Sequence, residues 1–223
     1  ILSYLLYIGR EAGKRRTETA CSMLPLSRNA AYLDCGCGDG EFTAGMAKKI
    51  GTQRIWGIEI IDSEIAKARV MGITVYKADL DREFPLRSNS FDVVTAIQVI
   101  EHLFEIDTFV SEIHRVLKKG GTAIVSTENL ASWHNIAALA LGLQPSTGPY
   151  ISNRFSLGFH PLAAQHKKEH KKNPHLALMR GHTRVMAFRS FIKLFERYGF
   201  EVKEVRGVGW YPLPGLHADI AAI

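Results

Sequence analysis

Cysteine is scarce and odd in number, three in 223 residues. Two of the three sit in one Cys-x-Cys turn, which argues against a disulfide framework and fits a reducing compartment, with cytoplasm as the expected location. Long apolar runs are also missing. The opening ILSYLLYIGR is apolar but too short to span a bilayer, and it runs directly into EAGKRRTET, so no transmembrane segment is expected. No small-residue cleavage site follows, and residues 1–29 therefore read as an amphipathic helical lead-in rather than a signal peptide. The sequence does not open on Met, which leaves room for residues ahead of Ile1. Internal repeats and low-complexity tracts are absent, so a repeat architecture is excluded.

What is present suffices for one core. A 46% hydrophobic content in a chain of this length predicts one globular domain with an insertion. The net charge of +6 is modest, but residues 166–184, HKKEHKKNPHLALMRGHTR, carry six Lys/Arg against one Glu. Such density is either a solvated loop or a surface for a nucleic acid or a phospholipid. Aromatic residues are not interleaved in that run, so the stacking platforms of single-strand binders are missing.

From Ala30 onward, short β-branched runs alternate with longer helical ones, the rhythm of a parallel sheet covered on both faces. Strands are predicted at AYLDCG, RIWGIEI, ITVYKAD, FDVVTAIQ, GTAIVSTE and EVKEVRG. Helices are predicted at 41–50, 63–71, 106–118, 131–141 and 190–198, with KKGG at 118–121 as a basic last turn and glycine stop. Residues 142–184 break the rhythm and read as a substrate lid or insertion. The expected organisation is the lead-in over 1–29 and a ligand-binding domain over 30–223 that carries this insertion at about 142–184.

The turn YLDCGCGDGEF, Tyr32 to Phe42, follows the first strand. A glycine turn at a helix start is a nucleotide cradle, because glycine lets backbone approach a ligand. The dinucleotide fingerprint needs a third glycine where this chain has Glu41. Asp39 and Glu41 also place negative charge where a pyrophosphate would sit; two like charges about 4 Å apart cost on the order of 1 to 4 kcal/mol at surface dielectrics. Phosphate is repelled and a cation suits the turn. Glu59, nineteen residues beyond Gly40, can accept both hydroxyls of a ribose. Asp79, ending the next strand, can accept from an exocyclic amine. A ligand with an adenosine end, a positive end and no phosphate is S-adenosylmethionine (SAM). Zinc at Cys35 and Cys37 lacks a second Cys pair to close its coordination.

The segments LDCGCGDGEF, GIEI, KADLDREFPLRSNSFDVVTAIQVIEHL and RVLKKGGTAIVSTEN, in that order over about Ala30 to Asn129, resemble the class I SAM-dependent methyltransferases of the broad methyltransferase-11 and ubiquinone-methyltransferase-like group. The resemblance implies an α/β Rossmann-like fold, with a mostly parallel sheet of six to seven strands and helices on both faces. Only six strands stand out, so the last one is expected to be clipped or poorly supplied by the tail LHADIAAI. It also implies Asp34 beside the methionine end of SAM, Gly36, Cys37 and Gly38 lining the loop, Glu59 and Ile60 at the ribose, Asp79 and Leu80 at the adenine, and Gln98 near the sulfonium.

Methyl transfer to a hydroxyl needs positioning and a proton acceptor, and His serves near neutral pH. Glu101 and His102 follow strand four, where a plain helix start would also favour an acid. The run QVIEHL is similar to the E-V-[IL]-E-H of ubiquinone-pathway O-methyltransferases and small-RNA 2'-O-methyltransferases, in which acids and His, with a distant His, hold a divalent metal. His182 falls where that distant His would be. Gln98 replaces the first acid, which weakens a hard-cation site, and a divalent metal is the less favoured route beside a His base or pure positioning. Trp56 reads as core, Trp133 and His134 as candidates for an acceptor pocket, and Tyr211 in GWYPLPG as part of a rigid turn.

The loops from Asn129 to Gly158 are similar to methyltransferases encoded among glycan and glycolipid assembly enzymes, implying hydroxyl methylation of a small-molecule, lipid-linked glycan or quinone-like acceptor. RNA 2'-O-methylation is the alternative, suggested by the basic run. A SAM-binding partner or sensor without turnover is the alternative of another class, and an NAD dehydrogenase is the enzyme rival. The apolar residues of ILSYLLYIG could cover a second copy as readily as their own core, so oligomeric state is left open.

Overall fold

The structure, a computed structural model, describes residues 2–145, 147–148, 181–208 and 220–222. Strands β1 (Tyr32–Cys35), β2 (Ile55–Glu59), β3 (Thr74–Lys77), β4 (Phe91–Ile97), β5 (Leu117–Ser126), β6 (Val205–Gly207) and β7 (Ile220–Ala222) form one sheet. Its order is β3-β2-β1-β4-β5-β7-β6. The first five strands are parallel, whereas β7 runs antiparallel to β5 and β6. The tail LHADIAAI thus supplies the seventh strand that the sequence left in doubt.

Helices α1 (Leu2–Met23), α2 (Glu41–Ile50), α3 (Asp62–Val70), α4 (Ile106–Val116), α5 (Trp133–Ala140) and α6 (Phe188–Arg197) complete the described elements. Alternation along β1 decides which helices cover which face. Tyr32 packs with Ala20, Leu24, Met46, Ala47 and Ile50 of the α1 and α2 side, while Leu33 and Cys35 join Phe109, Ile113 and Phe191 on the opposite side. Helix α4 buries Ile106, Phe109, Val110, Ile113 and Val116, the stripe of an amphipathic helix. Trp56 meets Phe91 edge-on at 5.5 Å and belongs to the core, as expected.

Several boundaries shift by a few residues, and the end of α4 changes the element type. Helix α4 stops at Val116, and KKGG lies within β5 instead of ending the helix. Leu117 is already extended, with φ −66° and ψ 140°. Lys118 Nζ then reaches both carboxylate oxygens of Asp92 at 2.8 Å, drawing the chain onto β4 early.

The order places β2 on one side of β1 and β4 on the other, so the chain reverses direction across the sheet between β1 and β4. In open α/β sheets ligands bind outside the carboxyl ends of the strands at such a reversal. Gly36–Gly40 after β1 and Gln98–His102 after β4 flank that crevice. No helix is long and apolar enough to cross a membrane among the described residues. Tyr211, most of the 142–184 insertion and most of the basic run lie outside the described residues.

Candidate active site

The glycine turn is anchored from below and open above. Gly40 has φ +87°, and a Cβ there would meet Ala68 Cα at 2.9 Å and Ile73 Cδ1 at 2.7 Å, so α3 packs directly on the turn. Gly38 has φ +52° and nothing within 4 Å of a Cβ, leaving room where a ligand would lie. Glu59 Oε2 accepts the Gly38 N–H at 3.0 Å, and Oε1 accepts from Ile60 and Ile61 at 2.7 and 3.0 Å. One carboxylate therefore ties the turn to the start of α3, and Ile60 beside it is half exposed. Asp79 Oδ1 accepts the Asp81 N–H at 3.0 Å, and Leu80 is buried next to it. These acids, with Asp39 and Glu41, fit the SAM inferred from sequence.

Two residues sit differently from the expectation of direct ligand contact. Asp34 is 3% exposed and both its oxygens are engaged, by Thr43 Oγ1 at 2.5 Å and Thr95 Oγ1 at 2.6 Å. Tyr32 OH lies 2.7 Å from the same Thr95 hydroxyl. Asp34 thus fastens β1, α2 and β4 together beneath the turn. Burial pushes its carboxyl up to about 6, against the two hydroxyl bonds. Cys37 turns its side chain into the cluster of Ile65, Ala68, Ile73 and Val75, over Gly57, where a Cβ would stand 2.4 Å from its sulfur. Burial pushes the Cys37 thiol up to about 12, so it is an apolar wedge rather than a nucleophile.

Across the crevice, β4 is followed by Gln98 with φ +58°, a left-handed conformation that costs a non-glycine residue energy and concentrates at functional sites. Its N–H donates to Ser126 O at 3.0 Å, locking the end of β4 to β5. A 3₁₀ turn, Ile100–His102, follows. Glu101 is fully buried and not the exposed helix-start acid that a plain reading allows. Its Oε2 accepts from Thr127 at 3.0 Å, and Oε1 is buried without a hydrogen-bond partner. Burial, with the nearby Glu128 charge adding to it, raises the Glu101 carboxyl to about 7.

His182 arrives from 80 residues away by a backbone stitch. Thr183 N–H donates to Glu101 O at 2.7 Å, and its hydroxyl reaches Leu103 O at 2.7 Å. Met186 bridges Asn129 in parallel, and its carbonyl takes the Leu130 N–H at 3.0 Å. The His102 and His182 rings stand 5.1 Å apart. One donor atom from each of Glu101, His102 and His182 lies within 4.8 Å of the others. His182 Nδ1 is 2.9 Å from Thr147 O, which sets Nδ1 as the protonated nitrogen and puts the lone pair on Nε2.

Residues 33–125 match the family model described as a methyltransferase domain. Over these residues the chain is similar to SAM-dependent methyltransferases. A probable SAM-dependent methyltransferase of Mycolicibacterium smegmatis is 38% identical over 99 residues, 44% of this chain and 37% of its own. A ubiquinone biosynthesis O-methyltransferase of Bradyrhizobium is 32% identical over 146 residues, 63% of this chain and 55% of its own. The chain thus spans about half or less of these relatives. The crystal structure of a SAM-dependent methyltransferase from Mesorhizobium loti superposes with a TM-score of 0.60 at 20% identity, over 85% of this chain and 82% of that one, a likeness of fold.

The sequence brings forward Glu59, Asp79, Gln98, Glu101, His102 and His182 among others, and the structure sets the last three side by side. It missed the threonines. Thr43 and Thr95 hold Asp34, Thr127 holds Glu101, and Thr183 carries His182 into place. Threonine at a strand or helix end has many uses, so nothing in the sequence separated these four. Trp133 and His134 open α5 beyond β5; Trp133 is 38% exposed, and burial holds the His134 pKa down.

Proposed function

We propose that this domain, within the division into a lead-in over 1–29 and an insertion at about 142–184, moves a methyl group from SAM to a hydroxyl of a small-molecule, glycan or glycolipid, or quinone-like acceptor. The observation that carries the reading is the convergence of buried Glu101 with His102 and His182 across the crevice from the glycine turn. When bound, SAM supplies a methyl group on a sulfonium, which the attacking acceptor oxygen takes as the carbon–sulfur bond breaks. Glu59 would take the ribose hydroxyls, Asp79 and Leu80 would hold the adenine, and the backbone at Gly36 and Gly38, open at Gly38, would receive the methionine end. Gln98 would fix the sulfonium side. His102 would accept the acceptor's proton, aided by His182, and Glu101 would orient the pair.

The same three side chains fit a divalent metal. A carboxylate and two imidazoles suit a first-row transition ion better than magnesium, and the orphaned Glu101 Oε1 is the kind of buried oxygen that such an ion satisfies. When bound, a metal would make the acceptor hydroxyl more acidic. His102→Ala should leave SAM binding intact and lower hydroxyl methylation by about 10² to 10⁴, measured with labelled methyl groups on hydroxyl acceptors and on RNA. Wild-type turnover in that variant would overturn the role. Activity unchanged by chelation, with no copurifying ion, would remove the metal. SAM binding with no turnover on any acceptor would leave a binding protein.

A further inference from the structure

Helix α5 reaches the site through a side chain that neither the cofactor nor the acceptor reading uses. Asn135 lies within α5 and is fully buried. Its Nδ2 donates to Asn129 O at 3.0 Å and to Thr147 Oγ1 at 2.7 Å. The Asn129 carbonyl can only accept, so it fixes the orientation of the amide and spends the second N–H on Thr147. The amide oxygen pays for this placement: Asn135 Oδ1 is buried with no partner. Thr147 in turn presents its carbonyl to His182 Nδ1 at 2.9 Å.

From this chain of contacts we infer that Asn135 is a positioning residue for His182, acting through Thr147. The inference rests on the reading of His182 as part of the catalytic group. An amide that tolerates an unsatisfied buried oxygen is held there by what its donors do. One donor grips the strand-five exit at Asn129, which also bridges Met186. The other grips the residue whose carbonyl selects the His182 tautomer. Both ends of the His182 segment are thereby referred to α5, and Nδ1 is kept as the protonated nitrogen. Partners that fix an imidazole from behind typically change activity by about 10- to 100-fold when lost.

The test is a nitrogen-15 long-range correlation spectrum of the histidine-labelled chain with S-adenosylhomocysteine bound, alongside calorimetric SAM titration and methyl transfer. In the wild type, His182 should show a protonated Nδ1 and an unprotonated Nε2. Thr147→Val, which keeps the carbonyl but loses the hydroxyl that Asn135 holds, should mix the tautomers and lower kcat about tenfold, with SAM affinity unchanged. Thr147→Ser should restore both. Asn135→Ala should match Thr147→Val, which stands alone if the Ala variant does not fold. A wild-type nitrogen pattern in Thr147→Val, or a mixed pattern with unchanged kcat, would overturn the positioning role. If instead His182→Ala turns over like the wild type, it is the catalytic reading of His182 that falls, and the nitrogen pattern alone decides whether Asn135 sets its tautomer.

Discussion

A single carboxylate can be a ligand or a fastener, and Glu59 and Asp34 divide those roles by environment. Glu59 accepts from backbone N–H groups and is only partly buried, so it can still take hydroxyls. Glu59→Ala should weaken SAM binding by about 1.5 to 3 kcal/mol, read by calorimetry; unchanged affinity would mean the ribose lies elsewhere. Asp34 is the opposite case. Its folded pKa of about 6 lies above the ordinary 3.8, so the native state holds the proton more tightly than the unfolded chain. The stability it lends is full below the unfolded value and is lost as pH rises to about 6. Asp34→Asn keeps a neutral side chain at every pH. The unfolding free-energy difference, variant minus wild type, read by urea unfolding, should therefore grow between pH 4 and 6 and level off above, by an amount on the order of 3 kcal/mol. A difference flat across that range would show that Asp34 ionises freely in the fold.

At the scale of elements, the loop carrying Asp79 and Leu80 is clamped by the helix beneath it. Arg115 pairs with Glu112 through Nε and Nη2, each at 2.6 Å, and donates to Phe84 O and Leu86 O at 3.1 and 2.8 Å. Glu112 accepts the Phe84 N–H at 2.6 Å. Farther along, Asp81 Oδ1 accepts from Phe104 and Glu105, so loop and α4 cap each other. Arg115→Ala leaves Glu112 nearly buried without its charge partner and should cost about 1 to 3 kcal/mol in urea unfolding, with a weaker grip on the adenine as well. Equal SAM affinity in a destabilised variant would show that the clamp serves only the fold. Elements of this kind were readable in outline: Glu41–Ile50 is found where the apolar spacing and flanking glycine put it. The early end of α4 was not, because the Lys118–Asp92 pairing that pulls KKGG into β5 is a contact between segments 26 residues apart, and local propensity carries no sign of it.

For the whole molecule, the same distinction explains which half of the site the sequence revealed. Gly36, Gly38, Glu59 and Asp79 lie at strand ends in chain order, so periodicity and spacing locate them. The meeting of Glu101 and His102 with His182 depends on the Thr183 stitch and on the Asn129–Met186 bridge, tertiary facts with no local signature. Since Thr147 O and His182 Nδ1 are 2.9 Å apart, the two ends of the intervening stretch are adjacent. Replacing residues 149–180 with a short Gly/Ser linker should keep SAM affinity and the thermal transition close to wild type while abolishing or broadening acceptor use. Loss of SAM binding in that variant would show that the stretch belongs to the cofactor site.

That adjacency gives the domain a socket. Because the chain leaves and re-enters at one point, lengthening what lies between costs only loop-closure entropy, about 0.6 kcal/mol for each doubling. Stretches of very different size and chemistry can be exchanged there without disturbing the histidine that the stitch delivers. Under the proposed reading of that stretch as the substrate insertion, acceptor preference would be engineered as a cassette, apart from the machinery for SAM.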